Sequence, residues 1–193
     1  MDRYKIAIVV GSLRKDSLNL KVARSLCAMA HERLDCDIVQ IGDLPLYNQE
    51  HDANSPKAYE QFRAAIAASD GVLFVTPEYN RGVPGVLKNA VDVGSRPYGK
   101  SVWNQKPAAI VSASPGSIGG FGANHQLRQA AVFLNMPVMQ HPEAYLSHVN
   151  DQSFDADGCL LEGPLKELIV SLSNAFADWV HLIHESRRLL AAQ

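Results

Sequence analysis

The sequence has 193 residues, 47% of them hydrophobic and 20% charged, which are proportions typical of one soluble globular domain. Its 18 basic and 20 acidic residues give a formal net charge of −2, which disfavours nucleic acid as a partner because phosphate backbones need a concentrated basic face. No apolar run approaches the roughly 20 residues that cross a membrane, and no signal peptide is predicted. We therefore expect a single cytoplasmic domain covering residues 1–193.

The cysteines and histidines do not indicate a metal or disulfide framework. Cys27, Cys36 and Cys159 are separated along the chain and form no C-x-x-C pair, so they are interpreted as buried or incidental thiols. The seven histidines lack H-x-x-x-H and H-E-x-x-H spacing. No metal site is predicted.

Apolar runs alternate with amphipathic stretches along the chain, starting with a strand-like run that ends at Gly11. Five such runs are predicted as strands: Ile6–Val10, Asp37–Ile41, Gly71–Thr76, Ala108–Ser112 and Val138–Gln140. A helix is predicted after each strand. The first has an apolar face from Val22 to Leu34, and the fourth spans roughly Gln126–Leu134. Prolines open the other three helices: Pro56, Pro84 and Pro164.

This βαβαβαβαβα order predicts an α/β fold, a doubly wound parallel sheet of five strands with helices on both faces. In such sheets a ligand binds beyond the carboxyl ends of the strands, where the strand order reverses. The loops after strands one, three and four are therefore the place to look for function.

The first loop, Gly11–Asn19, combines two hydroxyls, an amide and the cations Arg14 and Lys15 at a helix start. A helix N-terminus with nearby cations suits a phosphate group. The loop contains neither the dinucleotide fingerprint G-x-G-x-x-G nor a Walker G-K-[ST] sequence. The alternative is a helix capped by Ser17 that follows a solvated cationic turn.

The second loop, Thr76–Pro84, has prolines near both ends, and Gly82 permits an unusual backbone angle. Such a loop can hold a planar heteroaromatic ring, with contacts from Tyr79 and Asn80, or it can be a stiff connection. The third loop, Ser112–Gly122, contains four glycines and allows close backbone approach to a ligand, or mobility.

Two motifs in these loops, G-S-L-R-x-x-S-x-N and P-E-Y-N-x-G-x-P, resemble those of the NAD(P)H-dependent FMN reductase family, which includes bacterial quinone and chromate reductases. The resemblance covers nearly the whole chain. It implies a flavodoxin-like fold, bound FMN, NADH or NADPH as co-substrate, and a homodimer or homotetramer. It implies quinones as electron acceptors, with chromate, azo compounds and free flavin as further acceptors.

The resemblance also assigns residues. The phosphate of FMN is assigned to Ser12, Arg14, Ser17, Asn19 and Leu20. The isoalloxazine ring is assigned to Pro77, Glu78, Tyr79, Asn80 and Arg81, with Ser114 and Gly119 from the third loop. No catalytic side chain is expected, because the chemistry takes place at N5 of FMN.

A further hypothesis concerns anionic acceptors such as chromate. Arg81, together with Arg96 contributed across a dimer interface, would make the mouth of the flavin site electropositive. The alternative is that both arginines are solvated surface residues.

Two other functions share this fold. A flavodoxin-type electron carrier is usually strongly acidic, and a net charge of −2 provides little docking field. A phosphorylated receiver domain needs an acidic pair after strand one and an aspartate after strand three. Those places hold Val10-Gly11 and Thr76-Pro77, so the receiver interpretation fails.

Overall fold

Five strands form one parallel sheet in the computed structural model, which describes residues 3–192. The strands are β1 (Tyr4–Val10), β2 (Leu34–Val39), β3 (Gly71–Thr76), β4 (Ala108–Ala113) and β5 (Ala144–Leu146). Their order across the sheet is β2-β1-β3-β4-β5, and every neighbouring pair is parallel. This is the flavodoxin-like order, and it confirms the predicted fold class. The strand order reverses between β1 and β3, which places the ligand edge at their carboxyl ends.

Helices cover both faces of this sheet. They are α1 (Leu18–Ala28), α2 (Lys57–Ala67), α3 (Gly85–Gly94), α4 (Phe121–Phe133) and α5 (Pro164–Ala191), with short 3₁₀ turns at Gln49–Asp52 and Asp151–Ser153. Helices α1 and α5 pack on one face, and α2, α3 and α4 pack on the other. Within residues 3–192, none of the helices combines the length and the apolarity that a bilayer crossing requires.

The central strands are buried on both faces, which explains their continuous apolar sequences. In β1, Ile6 and Ile8 pack toward α1 and α5, whereas Ala7 and Val9 pack toward the other three helices. All six residues of β3 and all six of β4 are buried. The sheet therefore separates two hydrophobic cores. The polar functional groups are expected in the loops at its edges.

The predicted fifth strand, Val138–Gln140, is wrong. Val138 makes only an isolated bridge to Ala108, and the strand beside β4 is Ala144–Leu146. Pro142 lies between them and has no N–H to donate, so the ladder is interrupted and resumes beyond it. An edge strand of three residues gives too short a pattern to be read from sequence.

Two further boundaries differ from the prediction. Leu34 was assigned to the apolar face of the first helix, but α1 ends at Ala28 and Leu34 begins β2. The predicted span Asp37–Ile41 is therefore shifted along the chain. Helix α4 begins at Phe121, earlier than predicted. Its N-cap residue, Gly120, has no side chain that could cap the helix, so the sequence carries no signal for this helix start.

A glycine at the end of α3 tests the packing of the second core. A Cβ on Gly94 would overlap the indole of Trp103, which is fully buried and donates from Nε1 to the Val91 carbonyl at 2.9 Å. We expect Gly94→Ala to lower the free energy of unfolding by about 1–3 kcal/mol in urea denaturation. The control is Gly85→Ala, where a Cβ meets open space, and we expect no loss there. Equal effects of the two substitutions would contradict this packing.

Candidate functional site

Three loops meet at the carboxyl edge of the sheet because the strands that precede them are hydrogen-bonded neighbours. Val10 at the end of β1 is in register with Val75 of β3, and Thr76 of β3 is in register with Ser112 of β4. The first, second and third loops leave these strand ends directly. The predicted phosphate residues and ring residues therefore lie at one edge, as the sequence indicated.

In the first loop, Ser17 caps α1. Its Oγ accepts from the backbone N–H of Leu20 at 3.1 Å, and the side chain is buried. The first turn of α1 contains no acidic residue, while Arg14 and Lys15 are exposed beside it. Ser12 is half-buried next to Gly11. The capping interpretation is thus correct, and the helix N-terminus still presents positive potential to an anion.

Asn19 connects α1 to the end of β4. Its Nδ2 donates to the Ala113 carbonyl at 3.1 Å, and the side chain is buried. Its Oδ1 is a buried acceptor for which residues 3–192 supply no donor. A buried acceptor without a partner is costly, so this oxygen fits a hydroxyl or N–H group of a ligand held at the edge.

The second loop contains a tight hairpin turn. Tyr79 and Gly82 exchange two backbone hydrogen bonds, each 3.0 Å, around Asn80 and Arg81, which have φ of 51° and 64°. Two consecutive positive φ values are characteristic of a type I′ turn. The unusual backbone angle expected at Gly82 is therefore found at Asn80 and Arg81 instead, and both side chains are exposed at the tip.

Glu78 anchors this hairpin to α4. Its Oε2 accepts from the backbone N–H of Ala123 at 3.1 Å, in the first turn of the helix, and its Oε1 is paired with Arg81 at 3.2 Å. Gln126 adds a second tie, because its Oε1 accepts from the Val83 N–H at 2.6 Å. The carboxylate of Glu78 is mostly buried, and it holds the loop in place.

In the third loop, Ser114 and Gly119 determine the conformation of the backbone. Ser114 Oγ accepts from the Gly116 N–H at 3.1 Å. Gly119 has φ of 60°, and a Cβ there would lie 2.6 Å from the backbone carbonyl of Tyr145 in β5. Only glycine fits this combination of close approach and left-handed conformation.

The structure separates Arg96 from the other predicted residues. It follows the C-terminal end of α3, whose ten residues extend over roughly 15 Å from the second loop. Its guanidinium lies 5.8 Å from the centre of the Tyr47 ring and lines a cavity of about 680 Å³ together with Tyr98 and Phe133. Within one chain, Arg96 does not reach the ligand edge.

One polar cluster beside the third loop was not foreseen. Tyr145 Oη donates to Glu143 Oε1 at 2.9 Å and lies 3.0 Å from His125 Nε2, and Phe121 packs on His125 with ring centres 4.0 Å apart. Burial raises the pKa of Tyr145 above its ordinary value, and the hydrogen bond to Glu143 raises it further. Because the fifth strand was predicted at the wrong segment, Tyr145 was not expected beside the third loop, and the cluster was missed.

Comparison with known proteins agrees with this geometry. Residues 4–151 match the family described as NADPH-dependent FMN reductase. This chain belongs to that family. It is similar to a quinone reductase of Pseudomonas putida, with 56% identity over 93% of this chain and 96% of the relative. It is also similar to a 2-hydroxy-1,4-benzoquinone reductase of a Burkholderia species, with 44% identity over 91% of this chain and 96% of the relative.

Among solved structures, the chain is similar to FerB, a flavoenzyme NAD(P)H:(acceptor) oxidoreductase from Paracoccus denitrificans. The TM-score is 0.87 at 39% identity, covering 92% of this chain and 97% of FerB. As an FMN reductase family member, the protein is an oxidoreductase that uses FMN and NAD(P)H. Its carboxyl edge fits FMN: the first turn of α1 contains no acidic residue, and Asn19 offers an acceptor that has no donor among residues 3–192.

The position of Glu78 gives a direct test of how the site is held. Glu78→Ala removes the acceptor at the N-terminus of α4, and we expect the free energy of unfolding to fall by about 1–2 kcal/mol in flavin-free protein. Glu78→Gln keeps an acceptor oxygen without the charge, so we expect a smaller loss. Urea denaturation measures both against Glu32→Ala, which changes an exposed glutamate. If Glu78→Ala has the same free energy of unfolding as Glu32→Ala, the carboxylate does not cap α4.

Proposed function

We propose that this protein is an NAD(P)H-dependent quinone reductase that holds FMN at the carboxyl edge of its sheet. The observation that carries the proposal is the meeting of the three loops at the point where the strand order reverses. The similarity to enzymes named quinone reductase supports quinones as acceptors. When bound, FMN would supply the redox chemistry at N5, and the residues of the three loops would bind and orient it.

The first loop is proposed to hold the phosphate end of FMN. Ser12 and Arg14 border the N-terminus of α1, where free N–H groups and the helix dipole favour an anion. Ser17 and Leu20 bond to each other, so their contribution is to fix the turn from which the phosphate is bound. Asn19 is proposed to accept a hydrogen bond through Oδ1 from a hydroxyl group of the cofactor next to its phosphate.

The second and third loops are proposed to hold the isoalloxazine ring. Tyr79, half of whose surface is exposed, and Asn80 border the open side of the edge. Pro77 and the anchored carboxylate of Glu78 keep the hairpin rigid, so the ring meets backbone groups at fixed positions. In the third loop, Ser114 and Gly119 shape the opposite wall.

We also propose that the protein forms a homodimer or homotetramer and that it is located in the cytoplasm. Large apolar side chains are exposed around the cavity that contains Arg96: Tyr98 is 90% exposed and Phe133 is 89% exposed. Exposed clusters of this kind mark contact surfaces more often than free surface. A second copy seated there would cover these rings and could bring its own Arg96 toward a neighbouring flavin edge.

An electron carrier of the flavodoxin type is the other function open to this fold. Similarity to a flavodoxin from Pseudomonas aeruginosa, at 16% identity and a TM-score of 0.58, concerns the fold alone. The net charge of −2 gives a carrier little electrostatic means of docking. The low net charge therefore agrees with membership of the FMN reductase family.

Two measurements test the proposal. The absorbance spectrum of the purified protein, followed by heat release and chromatography, identifies the flavin, and we expect FMN. Steady-state oxidation of NADH and NADPH is then compared with and without a quinone, and we expect quinone-dependent turnover. Bound FMN without such turnover would instead support the carrier, and a different flavin would overturn the phosphate assignment.

The role proposed for Arg14 predicts a loss of cofactor affinity. Arg14→Ala removes a charge-assisted hydrogen bond to phosphate worth roughly 1.5–3 kcal/mol, so the Kd for FMN rises by about 10- to 150-fold. The stability of the flavin-free protein should stay unchanged, because Arg14 is exposed. Arg24→Ala, an exposed arginine further along α1, is the matched control. The affinity is measured by fluorescence titration of FMN, and an unchanged Kd would remove Arg14 from the site.

Arg81 is proposed to steer anionic acceptors toward the flavin. Its side chain is 74% exposed at the hairpin tip, although Glu78 offsets part of its charge. We expect Arg81→Ala to lower kcat/KM for chromate by roughly 3- to 10-fold at low salt, with a smaller effect at high salt. The kcat/KM for a neutral quinone should be unaffected by Arg81→Ala. Arg96→Ala is measured in parallel with both acceptors, because Arg96 lies at the far end of α3. Equal losses with both acceptors would leave Arg81 a structural residue.

A further inference from the structure

Phe121 is a large apolar side chain that stays exposed at the carboxyl edge of the sheet. It is the first residue of α4, and 45% of its surface is open to solvent. Ile118, three residues earlier in the third loop, is 49% exposed. Removing apolar surface from water is favourable, so two such side chains beside a ligand edge are candidate contacts for an apolar part of a ligand.

The chain neighbours of Phe121 fix its place between the second and third loops. A Cβ on Gly120 would lie 2.9 Å from Cβ of Ser112 in β4 and 3.7 Å from Cβ of Glu78. A Cβ on Gly122 would lie 2.8 Å from Oε2 of Glu78. The backbone on both sides of Phe121 is therefore pressed against the end of β4 and against the second loop, among the residues proposed to hold the isoalloxazine ring.

The phenyl ring of Phe121 is held by two other aromatic side chains. His125, four residues further along α4, lies on the same helix face, and the two ring centres are 4.0 Å apart with 32° between the planes. The ring centre of Tyr145 in β5 is 5.3 Å from that of Phe121. Tyr145 Oη lies 3.0 Å from His125 Nε2 and donates to Glu143 Oε1 at 2.9 Å. Phe121, His125 and Tyr145 thus form one aromatic wall, fixed by hydrogen bonds at its base.

A wall of this kind suits a flat ring. The first turn of α4 is fixed by the bond from the Ala123 N–H to Glu78, and the imidazole of His125 covers one side of the phenyl ring. The exposed part of Phe121 is therefore presented at a fixed position, which lowers the entropic cost of binding. Offset and edge-to-face contacts between aromatic rings add to the free energy of area burial. A compact ion gains neither contribution.

We propose that Phe121 is a specificity-determining residue that binds the ring of the quinone acceptor at the third-loop side of the flavin edge. The inference rests on the proposed quinone reductase function and adds the residue that selects acceptors with a flat ring. Ile118 extends the apolar surface next to the ring. Two half-exposed side chains match a small molecule, whereas a stable contact with a second protein needs a much larger area.

The test uses the full-length, FMN-loaded protein with two acceptors. Duroquinone has a flat ring that is fully methylated, so it does not add to cysteine thiols, whereas ferricyanide has no ring face to stack. We expect Phe121→Ala to lower kcat/KM for duroquinone by about 3- to 10-fold, mainly by raising KM. The kcat/KM for ferricyanide should stay unchanged.

Three further variants separate the ring from apolar bulk. Phe121→Tyr keeps an aromatic face and should retain the kcat/KM for duroquinone. Phe121→Leu keeps apolar volume without that face, so its loss should lie between those of Phe121→Tyr and Phe121→Ala. Leu182→Ala, which truncates a half-exposed apolar side chain on α5, is the matched control and should change neither acceptor.

Equilibrium binding gives a readout that does not depend on turnover. Duroquinone is titrated by calorimetry into the oxidised, FMN-loaded protein without NADH or NADPH. We expect its Kd to rise by about 3- to 10-fold in Phe121→Ala. The Kd for FMN, measured by fluorescence titration, should stay unchanged, because Phe121 is assigned to the acceptor.

Three results would overturn the proposal: equal losses with duroquinone and ferricyanide, a raised Kd for FMN, or a changed oligomeric state of Phe121→Ala in size-exclusion chromatography. The last result would make Phe121 a contact between copies of the chain. Quinone turnover that Phe121→Ala leaves unchanged contradicts this inference alone. Absence of quinone turnover in the unaltered protein contradicts the proposed function, and the calorimetric titration then still decides whether Phe121 contacts the ring.

Discussion

The hydrogen-bonded ladder that joins β1, β3 and β4 is the constraint on which the functional edge depends. These strands are buried on both faces, so their backbone groups must pair with one another, and the register between them is fixed by the side chains packed above and below. Once that register is set, the strand ends are fixed too. The three loops begin at adjacent points and need only short, rigid paths to face the same ligand.

Within those loops, many polar groups serve the chain itself. Ser17 caps α1, Glu78 caps α4, and the hydroxyl of Ser114 closes a turn of its own backbone. The side chains left exposed at the edge include Arg14, Lys15 and the residues of the hairpin tip. A binding motif is thus partly a set of contacts for a cofactor and partly a scaffold that prevents the contacts from moving.

The sequence predicted those parts of the fold whose pattern is local and strong. The continuous apolar runs of β1, β3 and β4 and the prolines at the starts of α2, α3 and α5 were sufficient to establish the architecture. The prediction of the fifth strand was wrong because this strand is three residues long and follows a proline. The assignment of Leu34 to a helix was wrong because a single apolar residue fits either a helix or a strand. Periodicity alone cannot separate such cases.

The site was predictable as a set of positions, and less so as a set of contacts. Motif spacing located the loops, but nothing local shows that Glu78 reaches Ala123, 45 residues away, or that Tyr145 lies beside Gly119. Contacts between distant segments depend on the register of the whole sheet.

The hairpin at Asn80 and Arg81 has a consequence for how this protein could diversify. Its path is fixed from outside by paired backbone hydrogen bonds and by the ties from Glu78 and Gln126, while the two tip side chains touch solvent. Their positive φ values favour glycine, asparagine and aspartate at the tip, and Arg81 shows that a long side chain is accommodated there as well. The charge and size of the tip side chains can vary without a change in the path of the loop. A substitution at Arg81 therefore changes the charge met by an incoming molecule, while the backbone of the edge keeps its shape.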